Sequence, residues 1–75
     1  MQRIRLRAAT IHRVLAHRCI SQNGLADAVG ISRPHLSQML SGQKCAGPKA
    51  RRRLLDATDL EGLEFDDLFE IEVAA

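Results

Sequence analysis

The chain is poor in the residues that build most catalytic and metal centres. It has two cysteines in 75 residues, Cys19 and Cys45. They form no CxxC motif and have no histidine at zinc-ligand spacing, so both are expected to be reduced thiols. The three histidines are His12, His17 and His35. His12 and His17 lie five residues apart and do not share a helical face, and no carboxylate or cysteine completes a metal site with them. There is no glycine-rich phosphate loop and no paired nucleophile and base. Ser21, Ser32, Ser37 and Ser41 fall at helix caps and on helix surfaces, which accounts for them without catalysis. No catalytic residue, metal or cofactor is therefore expected. A signal peptide and an apolar run long enough to span a membrane are also missing. The expectation is a cytoplasmic protein with no membrane partner.

Acids are missing from one part of the chain and bases from the other. Residues 1–53 hold all eleven Lys and Arg and a single acid, Asp27, a formal charge of +10. Residues 54–75 hold the other eight acids and no base, a formal −8. The net charge of +2 conceals this segregation. Solvation alone does not require the signs to be separated, so the pattern points to an anion-binding face backed by an acidic one. Seventy-five residues correspond to one domain, residues 1–75. A domain of this length buries only about 60 % of its unfolded surface, so its stability margin is small and association would help it.

The organising stretch is Gln22 to Met39, QNGLADAVGISRPHLSQM. Leu25, Ala26 and Val29 fall on one face of a short helix, which starts at Ser21 or Gln22. Gly30 interrupts it, as a residue able to turn with positive φ does at a helix end. Ser32 is a good N-cap for a second helix running from Ser32 or Arg33 to Leu40. Leu36, Met39 and Leu40 form the inner face of that helix. Two short helices joined by three or four residues have the dimensions of a helix-turn-helix, here residues 21–41. Ala26 stands where the helices must cross, and its small side chain lets the backbones approach.

These residues resemble the Cro/repressor-type (XRE-like) helix-turn-helix DNA-binding domains of phage and bacterial regulators. The resemblance rests on Gln22, Leu25-Ala26, Val29-Gly30-Ile31, Ser32, Leu36 and Gly42, together with Phe65-Asp66-Asp67-Leu68-Phe69, which is similar to the closing helix of such domains. It spans Ile11 to Phe69. It implies a mostly α-helical, five-helix repressor-like domain that binds double-stranded DNA in a sequence-specific way and regulates transcription, as a repressor. In many members, an arginine of the first helix is buried against a glutamate at the end of the reading helix. The matching positions here are Leu15 and Leu40, and well-packed apolar residues can replace a buried ion pair without loss. Contact between Leu15 and Leu40 is expected.

The resemblance also implies that helix 33–40 enters the major groove by its N-terminal part. Arg33, Pro34, His35, Ser37 and Gln38 are then the base-reading candidates. Arginine can hold guanine O6 and N7, and glutamine adenine N6 and N7, in bidentate fashion. Pro34 and Gln38 are expected to point outward at the centre of the helix, with His35 and Ser37 on its flanks. Proline has no N–H to lose in a first helical turn, but it biases Arg33 away from helical geometry. Either Ser32 caps the helix through the N–H of His35, or Arg33 is itself the N-cap. Ser21, Gln22, Ser32, Gln43, Lys44, Lys49 and Arg52 are the candidates for phosphate contacts.

Around this centre, Arg3-Ile4-Arg5-Leu6-Arg7 and Phe69-Glu70-Ile71-Glu72-Val73 both alternate with the period of a half-buried strand. Side by side, Ile4 and Leu6 could pack with Ile71 and Val73 while opposite charges face water. Alternatively Arg3 to Arg7 is the fraying start of the first helix or a mobile basic arm. The first helix runs from Ala8 or Thr10 to His17, with Ile11, Val14, Leu15 and Arg18 inward. Pro48 suits the first position of a fourth helix. That helix carries Lys49, Arg51, Arg52 and Arg53 first and Asp56 and Asp59 later, against the helix dipole, and phosphates near its start would compensate. Two further expectations concern partners. One is a weak homodimer that buries apolar residues drawn from Leu63, Phe65, Phe69, Ile71 and Val73. The other is an alternative role as an antitoxin-type protein-interaction module with secondary DNA binding, its protein partner unknown.

Overall fold

The two alternating stretches at the ends of the chain pair with each other. The computed structural model describes residues 2–73. Strand β1 (Gln2–Leu6) leads into four helices: α1 (Ala8–Arg18), α2 (Gln22–Val29), α3 (Arg33–Leu40) and α4 (Pro48–Ala57). A single 3₁₀ turn (Asp59–Glu61), the one-turn helix α5 (Phe65–Leu68) and strand β2 (Phe69–Val73) complete it. Among the described residues the fold is thus mostly helical, with five helices and one two-stranded antiparallel ribbon. Arg3 to Arg7 is neither a helix start nor an arm: four of its five residues lie in β1. Among the described residues no helix is long and apolar enough to cross a membrane.

The ribbon register differs by one step from the expected packing. Ile4 lies opposite Ile71, but Leu6 lies opposite Phe69, and Val73 faces Gln2. The reason is Phe69, which is only 1 % exposed. Its ring packs against Phe65 with centroids 5.1 Å apart. Burying the larger aromatic gains more than burying Val73, so Phe69 takes the place beside Leu6. The apolar face of the ribbon therefore runs from the core out into solvent: Leu6 and Phe69 are buried, Ile71 is 49 % exposed and Val73 68 %. On the other face, Arg3 and Arg5 lie opposite Glu72 and Glu70. Arg5 Nε sits 2.7 Å from Glu72 Oε2, one diagonal step along the ladder, as an ionic contact without hydrogen-bond geometry.

The junctions beside the ribbon are tied by backbone and side-chain donors onto backbone carbonyls. The Arg7 backbone N–H donates to the Leu68 carbonyl at 2.7 Å. Arg7 Nε donates to the carbonyls of Asp66 at 3.0 Å and Phe69 at 3.2 Å. Thr10 Oγ1 donates to the Asp67 carbonyl at 2.7 Å. At the far end of α1, Cys19 closes the helix in a left-handed conformation, φ 54°. There Arg18 makes a bidentate pair with Glu61, Nε to Oε1 at 2.5 Å and Nη2 to Oε2 at 2.8 Å, and also donates to the Ala57 carbonyl. Arg18 was expected on the inner stripe of α1. It is half-buried and serves to clamp α1 to the end of α4.

Ile11, Leu25, Leu36, Met39, Leu54 and Phe69 fill the centre and come from five different elements. Leu15 and Leu40 both pack, half-buried, against this core. Ala26 is 1 % exposed on α2, which packs against α3. A larger side chain at this buried position would overpack the core.

Candidate nucleic-acid interface

Local signals build the α2–turn–α3 unit. The Ser21 hydroxyl accepts from the Gly24 N–H at 3.0 Å and caps α2. Gly30 ends α2 with φ 82°, and the N–H groups of Gly30 and Ile31 both donate to the Ala26 carbonyl at 3.0 Å. Ile31 is buried beneath the turn. Ser32 Oγ then accepts from the His35 N–H at 3.3 Å. Ser32 is therefore the N-cap, Arg33 the first helical residue, and Pro34 sits in the first turn where it costs no hydrogen bond.

Helix α3 buries Leu36 and Met39 and leaves Arg33, Pro34 and Ser37 exposed. His35 and Gln38 are half-buried on its flanks. Gln38 was expected to project from the centre of the helix. It is half-buried, while its backbone carbonyl ties down the loop after α3 by accepting from the N–H groups of Gln43 and Lys44 at 2.9 and 3.2 Å. The outward stripe is Arg33, Pro34 and Ser37, with Gln38 at its margin. The same loop is fastened to the ribbon. The Ala46 N–H donates to the Ile4 carbonyl at 2.8 Å, and Arg5 Nη1 to the Gly42 carbonyl at 3.4 Å. Gln43 and Lys44 are thus displayed on an exposed, braced loop.

The start of α4 meets the start of α3 across a shallow cleft. It is lined by Gly30, Ile31, Ser32, His35, Lys49 and Arg53. The cleft brings together three of the sequence candidates from two segments, Ser32 and His35 at the start of α3 and Lys49 at the start of α4. Arg53 was missed. Its guanidinium donates to the Gly30 carbonyl and lies over the turn, where a side chain added at Gly30 would come within 3.2 Å of Nη1. The signal was available: with Ala50 and Leu54 inward, Lys49 and Arg53 fall four apart on one flank of α4. Arg52, the residue singled out instead, extends into solvent and lies 3.7 Å from Asp56 within its own helix. Ser21 is exposed and Gln22 half-buried at the start of α2.

Asp27 was missed as well. Its carboxylate holds the guanidinium of Arg33, with Nε to Oδ1 at 3.1 Å and Nη2 to Oδ2 at 2.6 Å. The hydrogen bonds from Arg33 keep the Asp27 carboxyl below its usual range and push the guanidinium up. Among the described residues, Arg13, Lys44, Lys49 and Arg51 take part in no ion pair. Cys19 and Cys45 are free thiols, both exposed. No family model, no curated protein and no solved structure matches the chain.

Proposed function

We propose that the protein binds duplex DNA through α3 and reads base sequence with the side chains at its N-terminal end, as a regulator of transcription acting by repression. The observation that carries this reading is the surface shared by α3 and α4. An exposed Arg33-Pro34-Ser37 stripe stands beside a cleft bearing Ser32, His35, Lys49 and Arg53, on a helix pair joined by a three-residue turn. A helix of this size with one exposed face fits the major groove. Cations on both sides of it are placed to meet phosphates, which fix register while the bases supply specificity.

In this arrangement Arg33 reads a base edge, with Pro34 and Ser37 beside it and His35 and Gln38 at the margins. Lys44 and Gln43 on the braced loop, Lys49 at the start of α4, and Ser21, Gln22 and Ser32 at the helix starts meet the backbone. The basic first turn of α4, unfavourable against its own dipole, is offset by phosphate there. Arg52 contributes at most long-range attraction.

The test is selection from a pool of randomised duplexes, followed by titration of the enriched sequence and an unrelated duplex over a salt series. A sequence reader enriches a defined motif and prefers it by about 10³-fold or more. Affinity that falls steeply with salt but shows no sequence preference would identify a nonspecific nucleic-acid binder instead.

A further inference from the structure

We infer that Asp27 is a positioning residue for base recognition by Arg33, an inference that rests on the DNA-binding reading above. Asp27 is the only acid among the first 53 residues of a strongly basic segment. It lies on α2 while Arg33 begins α3, so the pair bridges the turn between them. Both side chains are 57 % exposed. An ion pair this open contributes little to folding. It also places a negative charge on a surface that must approach phosphates. Stability alone gives no reason for the one acid of the segment to stand there.

The geometry supplies a reason. A guanidinium has five N–H donors in a planar fork. Asp27 takes Nε–H and one hydrogen of Nη2, the side-on edge. Both hydrogens of Nη1 and the second hydrogen of Nη2 are left over. Those on the end of the fork, one from each Nη, form the parallel pair that matches guanine O6 and N7. The carboxylate therefore fixes the plane and direction of the guanidinium and leaves its base-reading edge intact. An arginine held this way loses less rotational freedom when it meets the base, and a guanidinium aimed in one direction discriminates better than a mobile one. The substrate feature assigned is a guanine edge in the major groove.

Asp27→Ala separates positioning from simple masking of Arg33. If Asp27 positions the arginine, its loss lowers the preference for guanine at one position of the selected motif by about tenfold. Affinity for unrelated duplex holds or rises, because a charge that repels phosphate is gone. Asp27→Glu restores the preference in part, since it can re-form the bidentate pair. Asp27→Ala added to Arg33→Ala changes that position no further. If Asp27 only masks Arg33, Asp27→Ala binds the preferred site more tightly and keeps its guanine preference, and the inference is overturned. An unchanged motif and affinity overturn it as well, while leaving the DNA-binding reading intact. If the wild-type protein enriches no motif at all, the reading falls and this inference with it.

Discussion

Arg18 and Arg33 make the same kind of two-pronged carboxylate pair in opposite surroundings, and the consequences diverge. Arg18 and Glu61 are each about three-quarters covered, and Arg18 also satisfies the Ala57 carbonyl. Arg18→Ala removes these bonds and frees the end of α1, so it should destabilise the fold by about 1–2 kcal/mol. The hydrogen bonds from Arg18 hold the Glu61 carboxyl below its usual range. A carboxyl depressed by folding stabilises the native state fully above its unfolded pKa, near 4.3 for glutamate. That contribution is lost as pH falls through the lower, folded value. Urea unfolding should therefore show wild type more stable than Glu61→Gln at pH 7, with the gap closing in acid below the usual glutamate range. Arg33 behaves otherwise. Arg33→Ala should leave folding nearly unchanged but cost about 1–3 kcal/mol on a preferred duplex and relax one base position. Lys49→Ala should weaken binding to all duplexes alike and lower the salt slope by about one. Anisotropy titrations over a salt series read both effects.

At the scale of elements, the turn between α2 and α3 was legible because its determinants are local. Gly30 and Pro34 act through their own backbone geometry and Ser32 through a hydroxyl that caps the next turn, and each does what its type dictates. Gly30→Ala should destabilise by about 1–2 kcal/mol, since an L-residue at φ 82° is strained. Gly30→Asn meets the same Arg53 guanidinium but tolerates left-handed φ, so its melting temperature should lie between those of Ala and wild type. Alternation alone showed two strands at the chain ends, but not which residue would lie beside Leu6. That choice depends on Phe69 reaching Phe65 and the core, which is a tertiary fact. The partial burial of Gln38 was hidden for the same reason: a helical wheel has no knowledge of the elements packed around it. Arg53 and Asp27 lay between these cases. Arg53 sits at a helical spacing that could have been read, four from Lys49, and Asp27 stands out as the lone acid of residues 1–53, yet their partners lie on other elements. The sequence showed which face of α3 is outward at Arg33 and Pro34; the ion pair on Arg33 came only with the structure.

At the scale of the whole molecule, the segregated charge limits how two copies can meet. One short helix offers few base contacts, so a palindromic site about 34 Å between half-sites, bound by a weak homodimer, is the arrangement to expect of a sequence reader. Of the apolar candidates for its interface, Phe69 is consumed by the core, and Leu63 and Phe65 are half-buried against it. Ile71 and Val73 remain exposed. Edge pairing of ribbons across a two-fold axis is disfavoured. The outer edge of β1 is already engaged by the Ala46 N–H and Arg5's bond to Gly42, and β2 against β2 would bring Glu70 and Glu72 of each copy together. Pairing β1 with β2 of another copy matches the charges but is heterologous, and it gives rings or open chains rather than a two-fold dimer. Face-to-face packing of Ile71 and Val73 avoids both problems, because alternation puts the glutamates on the opposite side of the ribbon. Val73→Glu should leave the melting temperature near wild type, since Val73 is 68 % exposed. The same substitution should shift sedimentation at micromolar concentration to monomer and remove cooperativity on a two-half-site duplex, while binding to a single half-site persists. Wild-type protein that sediments as a monomer and also binds the palindrome one-to-one would overturn the dimer.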